Sequence, residues 1–164
     1  MRIGIVSDSH NSSKNVAKAV NIFNEEKVEY VLHAGDFGSA SVAGEFAGLQ
    51  TAKFIAVYGN CDSDKASLQR AIADFGGEIH ESHYADQIGD RKVYMTHRPD
   101  TIDDIIATSD YDLVIFGHTH DPVIRKQLNT LVVNPGTSMH KVLSKSYVII
   151  MELDNMTCKL VPLP

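Results

Sequence analysis

Two hydrophobic periods follow one another along this chain, and their order restricts the fold more than any other feature. In the first half, short apolar runs alternate with segments whose apolar residues recur every three or four positions. "RIGIVS" reads as a strand, and the stretch after it sets Val16, Val20 and Phe23 on one helical face behind two candidate caps, Ser12 and Ser13. "YVLHAG" precedes a weaker helical stretch from Val42 to Leu49, and "KFIAVYG" precedes a helix marked by Leu68, Ile72 and Phe75. Such repetition implies parallel strands joined by crossover helices. The period then changes. Glu78 to Tyr84 and Lys92 to Met95 read as strands joined through "IGDR". A short helix follows with Ile102, Ile105 and Ile106 inward, and Asp100, Asp103 and Asp104 complement its N-terminus. After "DLVIFG" only strand-like runs remain: "VIRKQL", "TLVVNPG", "SYVIIMEL" and "TCKLVPL". A mostly parallel half joined to an antiparallel half predicts an α/β protein of two sheets packed face to face, with helices outside. No linker, repeat or low-complexity segment divides the chain, so residues 1–164 are read as a single domain, long enough to bury a core without staples.

The C-terminal ends of these strands carry an ordered set of polar residues. "IGIVSDSH" supplies Asp8 and His10, "VLHAGD" Asp36, "IAVYGN" Asn60, "VYMTH" His97, and "VIFGHTH" both His118 and His120. Ligand crevices in open α/β sheets lie beyond such strand ends, so seven oxygen and imidazole donors are expected to converge. One of them alone would mean little, because an Asp after a strand is commonly a helix cap and a lone His a surface residue. Together, carboxylate, imidazole and amide oxygen suit Mn²⁺, Fe²⁺, Zn²⁺, Co²⁺ or Ni²⁺. Seven donors exceed one tetrahedral ion, and a shared carboxylate would allow two ions roughly 3.5–4 Å apart. That spacing holds a bridging hydroxide and two phosphoryl oxygens at once.

Charge and cysteine content narrow the function. A formal net charge of −6 argues against broad nucleic-acid binding, which needs a basic surface. Bound cations would make one positive pit on an acidic protein, suited to a small anionic substrate. Cys61 and Cys158 form no CxxC pair, so neither a zinc ribbon nor a disulfide scaffold is expected. There is no long uncharged apolar stretch, and the chain opens "MRIGIVSDSH", a strand pattern without the regions of a signal peptide. A reducing cytoplasm fits best, with no membrane partner.

The series "DSH", "GD", "GNCD", "TH" and "GHTH", in this order and each after a strand, resembles the calcineurin-like metallophosphoesterase superfamily. The size is similar to its small single-domain phosphodiesterase branch, which also contains the scaffold subunit of the retromer coat. The likeness runs from Ile3 to the "NPGT" turn at Asn134 and the final strands. It implies a four-layer αββα sandwich of two packed mixed β-sheets and a dinuclear centre. Asp8, His10 and His120 would hold one ion, Asn60, His97 and His118 the other, and Asp36 would bridge. Two divalent ions per chain are implied, with Mn²⁺ the one expected in assay and Ni²⁺, Co²⁺, Fe²⁺ or Zn²⁺ as alternatives. The implied reaction is hydrolysis of a small phosphate ester by a metal-activated hydroxide, without a covalent intermediate. A homo-oligomer is also plausible by resemblance.

Two stretches depart from the family pattern. Many relatives carry a histidine where "GNCD" has Cys61, and that histidine can protonate the leaving oxygen. A thiol is a poor substitute, and losing general-acid help worth about 10²–10⁴-fold favours good leaving groups. Cys61 is read first as a small packed residue and second as a substrate contact. Relatives in this branch often read "HGH" where this chain has "THRPD"; Arg98 could reach a substrate phosphate there, or stand exposed without a role. His33 is expected to lie along its strand as a packed or ligand-supporting residue, with substrate contact as the lesser alternative, and His80 and His83 to be structural or exposed. Thr96 and Thr119 would satisfy local backbone groups, and His140 is a minor candidate for the cleft. Besides a metal-dependent phosphodiesterase, the alternatives are a non-catalytic metal-binding scaffold of the same fold and a phosphomonoesterase. A nuclease would need a basic groove, and no such charge cluster is present.

Overall fold

The computed structural model describes residues 1–139 and 145–163. In chain order the elements are β1 (Arg2–Val6), α1 (Ser13–Glu25), β2 (Tyr30–His33), α2 (Ala40–Gly44) running into a 3₁₀ turn (Glu45–Gly48), β3 (Lys53–Val57), α3 (Lys65–Ala73), β4 (Glu78–His80), β5 (His83–Ile88), β6 (Arg91–Thr96), α4 (Ile102–Thr108), β7 (Leu113–Ile115), β8 (Val123–Gln127), β9 (Thr130–Asn134), β10 (Ser146–Glu152) and β11 (Thr157–Leu163). They form a six-stranded sheet ordered β11-β10-β1-β2-β3-β4 and a five-stranded sheet ordered β5-β6-β7-β9-β8.

Three apolar clusters account for four layers. Between the sheets, Ile3, Ile5, Leu32, Ile55 and Val57 of the first meet Val93, Met95, Leu113, Ile115 and Val133 of the second. The outer face of the first sheet, with Val31, Phe54 and Ala56, is covered by Val16, Val20 and Phe23 of α1 and Leu68 and Ile72 of α3. Tyr94, Val114 and Val132 on the outer face of the second sheet receive Ile102 and Ile106 of α4. The central strands are therefore apolar on both faces, which is why they read as continuous hydrophobic runs. Each such side chain contributes about 1.5–3 kcal/mol on burial.

The sandwich and its two mixed sheets agree with what the resemblance implies, whereas the strands do not divide into a parallel half and an antiparallel half. Both sheets are mixed: β1 to β4 run parallel, and β10 returns antiparallel beside β1. In the second sheet β6, β7 and β9 are parallel, flanked by antiparallel β5 and β8. The run from Glu78 to Tyr84 is two strands, not one: β4 ends the first sheet, and after Glu81 and Ser82 the chain enters the second as β5. Ser12 stands at the N-cap of α1 but makes no side-chain cap bond. The loops after β1, β2, β3, β6 and β7 meet at one end of the sandwich, and the turn after β9 closes behind them through Thr137 Oγ1, which donates to the Asp8 carbonyl at 2.8 Å.

Candidate metal centre

The turns after β1, β2 and β7 present their polar residues through left-handed backbone. Among the described non-glycine residues with left-handed φ are Asp8 (53°), His10 (39°), Asp36 (61°), His118 (67°) and His120 (63°). Five of the seven expected ligands thus hold a conformation that costs of order 1 kcal/mol or more for an ordinary residue and concentrates at functional sites. Hydrogen bonds between loops hold these turns: Asp8 N–H donates to the Gly35 carbonyl (2.9 Å) and His10 N–H to the Asp36 carbonyl (3.1 Å).

The buried carboxylates of Asp8 and Asp36 each commit one oxygen to the protein and aim the other into the cleft. Asp8 Oδ2 accepts from Ser7 Oγ (2.5 Å) and from the His118 N–H (3.0 Å), while Oδ1 is buried with no hydrogen-bond partner. His120 Nε2 lies 3.1 Å and His10 Nε2 3.5 Å from that Oδ1, and the two ring nitrogens are 3.0 Å apart. Asp36 Oδ1 accepts from the Cys61 N–H at 2.8 Å; its Oδ2 stands 3.7 Å from His10 Nε2 and 3.4 Å from His97 Nε2. His97 sits 2.8 Å from the Ala34 carbonyl through Nδ1, which must be the donor. Its Nε2, a lone pair in the neutral ring, then faces two acceptors: Asp36 Oδ2, and Asn60 Oδ1 at 3.0 Å.

Lone pairs converging on lone pairs repel unless a proton or a cation lies between them. Among the described residues three groups of donors could hold a metal ion: Asp8 with His10 and His120; Asp8 with Asp36 and His97; and His10 with Asp36 and Cys61. A histidine that gives its second N–H to a carbonyl, as His97 does, has the outer-shell arrangement of a metal ligand. The residues therefore fit divalent cations. Asp36 takes part in two of the groups, and its Oδ2 lies between the His10 side and the His97 side of the cleft. His118 belongs to none of the three; its ring packs edge-on against His97 with centroids 5.2 Å apart.

The electrostatics agree with a charged centre. Burial raises the Asp36 carboxyl, but His97 and the Cys61 N–H outweigh it and hold the group well below the usual carboxylate range. Burial likewise opposes ionisation of Asp8, and hydrogen bonds from His10 and Ser7 prevail. Desolvation disfavours the His97 cation, yet Asp36 and the Ala34 carbonyl raise it overall.

His33 lies behind the cleft. It is fully buried, stacked on Phe37 at 3.7 Å, with Nδ1 accepting from the Gly35 N–H (3.1 Å) and Nε2 bonded to Ser9 Oγ (2.7 Å). Burial is the main reason its pKa falls from 6.5 to about 3. The unfolded chain binds a proton here below pH 6.5 and the folded chain does not, so this residue's share of stability is lost as pH falls from about 6.5 toward 3. Between pH 7 and 4.5 that share is about 2–3 kcal/mol. Urea denaturation at the two pH values should show wild type losing that much more stability than His33→Gln; equal losses would disprove the assignment.

The remaining candidates fall outside the donor groups or differ from expectation. Cys61 is exposed, not packed; Asn60 Nδ2 donates to its Sγ (3.4 Å), and burial followed by the Asp36 carboxylate pushes its thiol up. Arg98 is exposed and ion-paired with Asp100 at 2.6 Å, on the wall of a cleft of ≈ 370 Å³ that Asn60 and His97 also line. His80 lies 3.8 Å from Glu78, and exposed His83 stacks on Tyr94. Thr96 Oγ1 donates to the Ser82 carbonyl and Thr119 Oγ1 accepts from Asn134 Nδ2. His140 lies outside the described residues. Sequence reasoning gave no role to Ser7, which tethers Asp8, or to Asp62, although "GNCD" displays the latter.

A family model described as the calcineurin-like phosphoesterase superfamily domain matches residues 1–156. A phosphodiesterase of Methanocaldococcus jannaschii is 41% identical over 139 residues, covering 83% of this chain and 83% of that protein. The solved structure of an archaeal phosphodiesterase superposes with a TM-score of 0.91 at 35% identity, covering 99% of this chain and 100% of the other. Vps29 of Entamoeba histolytica shares the fold at a TM-score of 0.70 and 16% identity, with both chains covered in full (100%).

Proposed function

Because this chain belongs to the calcineurin-like phosphoesterase superfamily, we propose that it is a metal-dependent phosphodiesterase acting on a small phosphate ester. The observation that carries the reading is the convergence of Asp8 Oδ1, Asp36 Oδ2 and His97 Nε2 on one cleft, with the imidazole nitrogens of His10, His97 and His120 within 3.1–3.7 Å of the two carboxylates. Asp8, His10 and His120 would hold one ion, Asn60, His97 and His118 the second, and Asp36 would serve both. When bound, divalent ions supply a hydroxide nucleophile near neutral pH and neutralise the non-bridging phosphoryl oxygens. Mn²⁺ is the ion we expect to work in assay. Residues 1–164 would act as one domain. Among the described residues no helix is long and apolar enough to cross a membrane; with two free thiols, a reducing cytoplasm is the proposed compartment.

The chain's own groups set the rest of the reaction. Ser7 and Ser9 are committed to Asp8 and His33, and the Cys61 thiol is held protonated. None is a ready nucleophile, which favours direct attack by water over a covalent intermediate. The ≈ 370 Å³ cleft beside Asn60 and His97, with Arg98 on its wall, can seat the alcohol portion of the ester. Among the described residues lining this cleft the imidazole is that of the proposed ligand His97, which is not free to act as general acid, so substrates with good leaving groups should turn over fastest. Cys61→His is expected to raise turnover of alkyl diesters by about 10-fold or more while changing p-nitrophenyl esters little; equal effects on both would remove Cys61 from the leaving-group side.

Chelator-stripped protein supplied with Mn²⁺, Ni²⁺, Co²⁺ or Zn²⁺ and offered bis-p-nitrophenyl phosphate and p-nitrophenyl phosphate in parallel tests the reading. Restored hydrolysis, faster for the diester, supports a phosphodiesterase. Hydrolysis of the monoester alone would make it a phosphomonoesterase. Metal uptake with no hydrolysis of either would favour the scaffold reading, for which only the fold shared with Vps29 speaks.

A further inference from the structure

Asp62 is buried and belongs to none of the donor groups, yet its carboxylate accepts four backbone N–H groups from the loops that carry Asp36 and Asn60. Oδ2 accepts from Asp36 (2.9 Å) and Gly59 (2.8 Å), and Oδ1 from Phe37 (2.8 Å) and Gly38 (3.1 Å). Three consecutive N–H groups converging on one side make a concavity that suits an anion, and here the anion is a side chain from the next loop. The contact is reciprocal, because Asp36 Oδ1 accepts the Cys61 N–H from the turn that carries Asp62. Each loop thus sends a carboxylate into the backbone of the other.

The position of this clasp determines what it can do. It holds Asp36 in its left-handed conformation and fixes the turn that presents Asn60. We propose that Asp62 is a positioning residue that sets Asp36 and Asn60 relative to each other before any ion arrives, so that its loss weakens both metal positions together. The proposal rests on the metal reading above. It also explains why the residue must be a carboxylate. An asparagine of the same shape has one acceptor oxygen, and its amide nitrogen would face two of the four N–H donors.

Two measurements test this. Backbone amide exchange in the metal-free wild-type protein, read by NMR, should show Asp36, Phe37, Gly38 and Gly59 already protected. Calorimetric titration with Mn²⁺ should show Asp62→Asn losing affinity at both positions by roughly 10–100-fold, whereas Asn60→Ala loses one position and keeps the other. A purely structural Asp62 would lower the melting temperature and leave the metal affinities of the folded variant unchanged, and that result overturns the proposal. Free exchange of the four amides in the metal-free wild type overturns it as well, and decides the matter if Asp62→Asn does not fold. Wild-type protein that binds no Mn²⁺ would instead defeat the metal reading, whatever the amides show.

Discussion

Asp36→Asn is expected to bind neither ion tightly and to lose at least about 10³-fold in metal-dependent turnover. The geometry gives the reason. Asp36 Oδ1 is committed to the Cys61 N–H, and Oδ2 stands between His10 and His97. An asparagine can satisfy the backbone or the cleft with its single oxygen, but not both. If the oxygen keeps the Cys61 bond, the amide nitrogen sets N–H groups where a cation would lie. Losing the negative charge removes attraction for both positions at once, and this group is ionised in the folded protein well below the ordinary carboxylate range. Metal content of the purified variant after dialysis against Mn²⁺ is the direct check. Loss of one ion with full retention of the other would move the shared ligand to another residue.

Gly117→Ala should disable the centre without altering any ligand. A Cβ at Gly117 would lie 2.0 Å from Ser7 Oγ, 2.7 Å from Asp8 Oδ2 and 3.0 Å from the Ala34 carbonyl, all three in fully buried residues. Something must shift, and the nearest groups are the tether that aims Asp8 and the carboxylate itself. Displacing a reacting constellation by about 1 Å can cost ~10²-fold in rate, and overpacking of this kind costs about 1–3 kcal/mol in stability. Gly44→Ala is the matched control: the new methyl meets nothing within 4 Å, on a helix where alanine is the better residue. Parallel melts and turnover assays should show the control unchanged and Gly117→Ala impaired in both; an unimpaired Gly117→Ala would mean that the Ser7–Asp8 tether does not position the site.

The sequence and the structure agree where the physics is local. Strands buried on both faces must read as apolar runs, so β1, β2, β3, β6 and β7 were visible, and the polar residue ending each was visible with them. Helices that cover a sheet show their period, as Val16, Val20 and Phe23 do. Pairings between distant segments leave no such trace. Nothing in "SYVIIMEL" says that it lies beside β1, and nothing between Glu78 and Tyr84 says that the chain changes sheets at Glu81 and Ser82. The candidate site divides in the same way. The seven expected donors are named by strand ends, and five of them, Asp8, His10, Asp36, His97 and His120, fall in the candidate groups, whereas the exposure of Cys61, the Arg98–Asp100 ion pair and the Asp62 clasp depend on where neighbouring loops run. Asp62 is instructive because it was in plain view within "GNCD", but three of its four partners are about 25 positions earlier in the chain.

Titrating chelator-stripped protein with Mn²⁺ while following both binding and hydrolysis of bis-p-nitrophenyl phosphate tests the central claim most directly. Turnover should rise with occupancy and level off at two equivalents per chain. Full turnover at one equivalent, or turnover indifferent to metal, would contradict a two-ion centre built from these strand ends.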